Sequence, residues 1–481
     1  MVISAVALGC KYVRLPYTIA LVAVGLVVGL TRSFFTLDLQ LTPELLFVVL
    51  LPALLFEAAI HLPVLALRQN LRSILMLAVP GMLISTLLVG CGLHFVLDFA
   101  WQPSLVFGAL ISATDPIAVL ALFKQLRAPQ SLSVLVEGES LLNDGAAVVL
   151  FNLLVAGGSI TITGGVGLFL FESLGGLAVG AVLAWLISKL TERIDDHLIE
   201  VTLSTILAYS SYLIAQQMHT SGVMAVIAAG LVYGNLAMGA GKMSTNTRLS
   251  LANTWEYLGF LCNSMVFLLI GTQVDLSLLA SRWLPIVIAF AIVNAARLLA
   301  LLVLSPFTRI PWKWQPVVFW SGLRGSIAMA LAMALVLPER EDLLLLTFGV
   351  VLLSVFVQGL TVKPLLRYLG IIQHQGPLVE YESRLGELIA QERALVVLRK
   401  SKSHYHISEE VFSEISEPLR QTIERLRAEL QQFQTEEVLA EQRKDAGNLV
   451  AGAQRLGLRD ALVQGLISEE TYLNLRDKLE T

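Results

Sequence analysis

The chain has 481 residues, of which 56% are hydrophobic and 15% charged, with a net charge of −4 and a mean hydropathy of +0.74. Soluble domains carry about 25% charged residues, so this composition excludes an ordinary water-soluble domain and points to a chain solvated largely by lipid. The net charge averages two unlike parts. Up to about residue 372 apolar runs alternate with short polar loops, and beyond it the density of charge rises roughly threefold. The expected division is a transmembrane domain over residues 1–372 and a cytoplasmic helical tail over residues 373–481.

Windows of about 20 apolar residues mark spans over residues 15–30, 42–60, 72–97, 104–123, 132–156, 165–188, 198–217, 221–238, 254–272, 283–304, 315–337 and 343–366. The stretch 2–12 reads as an abbreviated first helix, giving about thirteen in an all-α polytopic membrane protein. It has no basic residue before it, and Lys11 and Arg14 follow it, the wrong order for a secretion signal. The basic residues test this count. Alternate loops hold Lys11 and Arg14, Arg68 and Arg72, Lys124 and Arg127, Lys189 and Arg193, Lys242 and Arg248, Arg309 and Lys313, and Lys363 and Arg367, whereas the intervening loops hold only Arg32, Arg282 and Arg340. Lys and Arg accumulate on the cytoplasmic side, so the tail is expected inside and the N-terminus outside. Cys10, Cys91 and Cys262 form no CxxC motif and read as small core residues.

Two spans are interrupted. With the 2–12 helix counted first, the fifth contains Thr114-Asp115-Pro116, where Pro116 removes an amide donor and disfavours helix at Asp115. The twelfth contains Gly322-Leu-Arg324-Gly325, two glycines bracketing a charge. The two breaks are seven helices apart, an odd offset that turns the second copy upside down. Paired broken spans point to an inverted-repeat transporter with its site near the bilayer midplane.

Polar residues inside spans are Glu57, Thr114, Asp115, Glu139, Ser140, Asn143, Asp144, Arg297 and Arg324. A bare carboxylate at that depth costs roughly 2.5–3.5 kcal/mol on insertion scales, so the reading for Asp144 is functional. In the sixth span Glu139 and Asn143, and Ser140 and Asp144, stack at offsets of four on adjoining stripes of one face. A dehydrated alkali cation wants oxygen ligands, which carboxylate, hydroxyl, amide and freed backbone carbonyls supply. Burial disfavours the charged form of a carboxyl group and a bound cation favours it. One group, Asp144, can therefore hold either a proton or Na+, and this competition suffices for exchange. Asn rather than Asp at 143 leaves one exchangeable charge, consistent with electroneutral one-for-one exchange. Arg324 and Glu139 are the expected buried ion pair. Asp115 reads either as a cap on the second half-helix or as part of the cation site. Glu57 reads either as an interfacial acid or as a site residue. Arg297 reads as structural, and His61, His94 and His219 as interfacial.

The strings Ala113-Thr-Asp-Pro-Ile-Ala-Val119, Glu137-Gly-Glu-Ser-Leu-Leu-Asn-Asp144, Val266-Phe-Leu-Leu-Ile-Gly271 and Gly322-Leu-Arg-Gly-Ser-Ile-Ala328 resemble the monovalent cation:proton antiporter-1 family, which includes sodium/proton exchangers and NhaP-type antiporters. The resemblance covers about residues 11–370. It implies a homodimer of thirteen-helix protomers, each with a mobile core and a dimerisation domain. It further implies ion and proton binding at Asp144 with Asn143, Ser140, Thr114, Asp115 and Glu57, helix breaks at Pro116, Gly322 and Gly325, and a structural Glu139–Arg324 pair. Its partners would be monovalent cations, protons and the lipid bilayer of a cell membrane. No enzyme activity, nucleic acid or cofactor beyond the transported Na+ and H+ is expected.

Potassium or lithium as cargo is the close rival, because oxygen ligands alone do not rank alkali ions. An intramembrane aspartyl protease would show Gly-x-Gly-Asp, which neither Asp115 nor Asp144 carries. A channel fits broken helices around one buried carboxylate less well than alternating access does. In the tail, Leu385, Leu388, Ile389, Leu395 and Val396, then Leu419, Ile423, Leu426 and Leu430, recur at helical spacing, with Pro418 read as lying between two helices.

Overall fold

The computed structural model describes residues 17–30, 44–126, 128–157, 162–191, 196–238, 245–273, 276–371, 377–405 and 408–432, with scattered positions beyond them. The expected helix over 2–12 lies mostly outside these residues, as do Lys11, Arg14, Arg32, Arg127, Arg193 and Lys242 of the charge pattern. Among the described residues all regular structure is helical. In hydrocarbon every backbone N–H and C=O must be satisfied within the segment, and an apolar run achieves this alone only as a helix.

The chain divides into two compact units, Met1–Ile372 and Gln373–Thr481. In the first, eight helices among the described residues are long and apolar enough to cross a membrane. In chain order the helices are α1 (Tyr17–Leu30), α2 (Leu45–His61) and α3 (Val64–Leu97). Then come α4 (Trp101–Ser112) and α5 (Ile117–Leu126), the two halves of the first broken span. They are followed by α6 (Gln130–Ala156), α7 (Ile162–Thr191) and α8 (His197–Gln217), then α9 (Gly222–Ala237), α10 (Thr245–Gln273) and α11 (Trp283–Leu304). The second broken span is α12 (Gln315–Trp320) and α13 (Ser326–Met333), and α14 (Arg340–Tyr368) closes the unit.

These helices sort into two packed groups. One is α1, α2, α7, α8, α9 and α10; the other is α3 to α6 with α11 to α14. Leu and Ile are as content in lipid as in a protein interior, so close backbone approach has to do more of the work of association. Glycine provides it. Gly25 of α1 lies against Leu268 and Gly271 of α10, Gly180 of α7 against the Ala225 carbonyl of α9, and Gly108 of α4 against the Thr86 carbonyl of α3. Large apolar side chains such as Leu168, Phe171 and Leu174 of α7 and Leu302 and Val303 of α11 remain exposed and form a lipid-facing surface.

Four helices among the described residues widen locally into π turns: α2 at Leu45–Leu50, α3 at Leu77–Gly81, around Pro80, the end of α9 at Gly234–Met238, and α14 at Ser354–Gln358. Pro80 lacks the amide that would continue the α-helical ladder. The widened turn in α14 carries Ser354, whose hydroxyl accepts a hydrogen bond from the Arg324 amide at 2.7 Å.

The second unit contains α15 (Pro377–Tyr405) and α16 (Glu409–Gln431), packed on each other. Phe412, Ile423 and Leu426 are buried, and Arg384–Glu429 (2.9 Å) and Arg427–Glu392 (2.6 Å) bridge the two helices. Pro418 does not separate two helices: α16 runs through it from its N-cap Ser408, whose hydroxyl accepts from the Val411 amide. A proline interior to a helix forfeits one hydrogen bond, which the amphipathic face packed on α15 offsets.

The glycine contacts give a first test. Gly180→Val places its side chain against a backbone carbonyl that cannot rotate away and should lower stability by about 1–3 kcal/mol. Gly167 of the same helix has open space around it, so Gly167→Ala should be neutral or stabilising by about 0.5–1 kcal/mol. Thermal unfolding of the purified protein in detergent would separate the two.

Candidate functional site

Breaking two helices at membrane depth leaves four helix ends, each with unsatisfied backbone groups and about half an elementary charge. The broken segments are 113–116 and 321–325, and they cross: the Asp115 amide donates to the Leu323 carbonyl at 2.7 Å. The side chains around this crossing neutralise the four ends.

Asp115 serves the two N-termini. Its Oδ1 accepts from the Ile117 amide at 3.1 Å, capping α5, and the Ser326 amide at the start of α13 faces the same carboxylate. Capping and a place beside the cation site were the two sequence readings, and the cap is present. Pro116 sits in the break, where its missing amide costs nothing. Gly325 is required by proximity rather than by backbone angle, since a side chain there would strike the Asp115 carboxylate.

Two guanidinium groups serve the C-termini. Arg324 Nη1 donates to the carbonyls of Ser112 at 2.7 Å and Ala113 at 3.4 Å, closing α4. From α11, Arg297 donates through Nη2 to Val318 at 2.9 Å and through Nε to Phe319 at 3.2 Å, closing α12. Gly322 makes the room, because a side chain at that position would overlap the Arg297 guanidinium.

The expected Glu139–Arg324 pair is therefore corrected. Glu139 pairs with Arg297, through Nη1–Oε1 at 3.2 Å and Nη2–Oε2 at 3.3 Å, a two-pronged bridge between α6 and α11. Arg324 remains within electrostatic reach of Glu139 and Asp144 but spends its donors on α4. A small residue at 322 beside a lone arginine in the eleventh span was the signal available in the sequence.

One face of α6 reads the first broken segment. The Ser140 hydroxyl donates to the Thr114 carbonyl at 2.7 Å, Asn143 Nδ2 donates to the Ser112 carbonyl at 2.8 Å and to Thr114 Oγ1 at 3.4 Å, and Asp144 Oδ1 accepts from the Thr114 amide at 3.0 Å. All are buried: Thr114, Asp115, Glu139, Ser140, Asn143, Asp144 and Arg324 are each less than 9% exposed. Five oxygen-bearing residues, Thr114, Asp115, Ser140, Asn143 and Asp144, thus meet at one short stretch, the donor chemistry a dehydrated alkali ion requires. A cavity of about 30 Å³ lies beside Glu139, Asn143, Arg297 and Arg324, and Asn143 Oδ1 is buried without a hydrogen-bond partner.

Glu57 is not brought into this cluster. It lies on α2 against Gly259 of α10, with the His61 ring 3.7 Å away, and its other charged neighbours are Glu137, Glu256 and Lys124. Glu137 lies seven residues before Asp144 and so on the same helical face, a spacing from which its alignment with the site could have been read.

Comparisons with known proteins fit this geometry. The family described as "Sodium/hydrogen exchanger, transmembrane" matches residues 1–368. The Na(+)/H(+) antiporter NhaG of Bacillus atrophaeus is 40% identical over 442 residues, covering 88% of this chain and 83% of that protein. The Na(+)/H(+) antiporter NhaP of Pseudomonas aeruginosa is 36% identical, covering 74% and 92% respectively. The solved sodium proton antiporter MjNhaP1 of Methanocaldococcus jannaschii shares the fold with a TM-score of 0.66 at 22% identity, over 77% of this chain and 96% of that one.

The pairing is tested by double-mutant cycles on thermal stability. Glu139 with Arg297 should show a coupling of about 1–3 kcal/mol, and Glu139 with Arg324 a clearly smaller one. Removing one partner alone should cost about 3–5 kcal/mol, because the other charge is left buried.

Proposed function

This chain belongs to the sodium/hydrogen exchanger family, and we propose that it exchanges Na+ for H+ across a cell membrane, one for one, by alternating access at Asp144. The observation that carries the stoichiometry is a charge balance. Around the crossing three carboxylates (Asp115, Glu139 and Asp144) face two guanidinium groups (Arg297 and Arg324). Glu139 is matched by Arg297 and Asp115 by the two helix N-termini, with Arg324 set against the C-terminus of α4. One negative charge is left over, and one monovalent ion cancels it.

A bound Na+ and a bound proton each bring the cluster to neutrality, and both together leave it positive in a medium that penalises charge. Exclusion of double occupancy follows from electrostatics, and neutrality in both loaded states favours movement of the loaded site through the low-dielectric interior. Ser140, Thr114 and Asn143 supply the remaining oxygen ligands and fix where the ion sits. Asn143 holds the Ser112 carbonyl without adding a titratable charge. Potassium as the cargo draws no support from the relatives, which are named as sodium/proton antiporters.

The alternation of Lys and Arg supports a cytoplasmic tail and an external N-terminus, and the family resemblance supports a homodimer. No cofactor is called for beyond the transported ions.

The test uses purified protein in liposomes under an imposed pH gradient. Sodium should drive proton movement that persists when valinomycin and potassium clamp the voltage, and Asp144→Asn should abolish it. Exchange surviving in Asp144→Asn would mean that another carboxylate carries the ion. Competition also fixes a slope. Below the pKa of the exchanging carboxyl, each unit by which the pH falls should raise the apparent KM for sodium about tenfold, because protons occupy the group sodium needs.

A further inference from the structure

On the side of the crossing that faces α1 there is a second, smaller cavity of about 10 Å³, lined by Thr18, Asp115, Phe267, Arg324 and Val355 among others. Two residues of its lining, 5% and 8% exposed, carry a buried polar atom with no hydrogen-bond partner, Thr18 Oγ1 and Asp115 Oδ2; the Ser326 amide faces the Asp115 carboxylate but closes no hydrogen bond to Oδ2. The other carboxylate oxygen of Asp115 is already engaged in capping α5. An unsatisfied buried hydroxyl or carboxylate oxygen is costly, and two from residues that line the same small void call for one shared guest.

The size and charge of the void select that guest. About 10–15 Å³ measured this way holds a single water, which needs two to four polar partners. The lining pairs one carboxylate with one guanidinium, so it has no net charge with which to hold a cation. We propose that Thr18 and Asp115 together bind one water molecule that latches α1 to the crossing. The water donates to Asp115 Oδ2 and exchanges a hydrogen bond with the Thr18 hydroxyl.

The latch joins the two helix groups. Thr18 and Phe267 belong to α1 and α10, which pack together in one group, and Asp115, Arg324 and Val355 belong to the other. On the alternating-access reading above, on which this step rests, the groups move relative to each other in each cycle, and this water must be released and recaptured. Thr18 is then a positioning residue: it touches no transported ion, and it stabilises the conformation described here.

The test begins with the wild-type full chain, in a cryo-electron microscopy map fine enough to resolve ordered waters. A density peak within hydrogen-bond distance of both Thr18 Oγ1 and Asp115 Oδ2 is expected, and a well-resolved void without one overturns the proposal. Hydrogen–deuterium exchange then compares variants. Thr18→Val keeps the shape and removes the hydroxyl, and should speed exchange of the α1 amides by about fivefold. Thr18→Ser restores the hydroxyl and should hold exchange within about twofold of wild type. Equal protection in the two variants would count against the latch. So would a Thr18→Val protein with unchanged protection but weakened apparent sodium affinity in liposomes, which would make Thr18 a cation ligand. Sodium-driven proton movement by the wild type is scored separately, so failure of the antiport reading is distinguishable from failure of the latch.

Discussion

Everything at the centre of this protein follows from the cost of ending a helix inside a membrane. A continuous helix satisfies its own backbone; a broken one presents bare amides at one end and bare carbonyls at the other, with partial charges water is not there to screen. This chain breaks two helices at the same depth and lets them cross. Asp115 gathers the two positive ends, and Arg324 and Arg297 take the two negative ends. The charged groups are held at a depth that would otherwise reject them, because each offsets a backbone dipole that would otherwise be unsatisfied.

Once these residues are committed to the helix ends, the rest of the cluster has limited freedom. Arg297 reaches from α11 to α12 and still offers two donors, which Glu139 accepts. Gly322 and Gly325 are fixed by the side chains that pass over them, Arg297 at one and Asp115 at the other. Asp144 is left as the carboxylate without a cationic partner of its own, bonded to the Thr114 amide. The scaffold and the site are thus distinguished by charge bookkeeping: matched charges hold the crossing, and the unmatched one is free to take an ion.

Much of this was legible in the sequence, because the membrane makes the rules strict. Apolar runs gave the spans, Pro116 and the Gly322–Gly325 bracket gave the breaks, and offsets of four put Glu139, Ser140, Asn143 and Asp144 on neighbouring stripes of α6. Pairing was not legible. An arginine in a span announces that it needs an acid without saying which, and two arginines with several acids admit more than one matching. The choice between Arg297 and Arg324 turns on which guanidinium is already spent on helix-end carbonyls, a fact of three-dimensional geometry. Pro418 misled for a different reason: helix-breaking propensity is a local cost, and the packing of α16 on α15 outweighs it.

By the same reasoning a single methylene should matter at the crossing. Replacing Asp115 with Glu would keep the charge while moving the carboxylate away from the Ile117 amide it caps at 3.1 Å and into the small void beside Thr18. A negative charge is needed there, and it must also lie on the axes of both half-helices, since dipole stabilisation falls off within a turn. Asp144 faces no such demand from a helix end. Its carboxylate is held by the Thr114 amide. The carboxylate that fixes the architecture is therefore held by two helices, and the carboxylate proposed to exchange ions is held by one bond, the weaker tether that a group alternating between proton and cation requires.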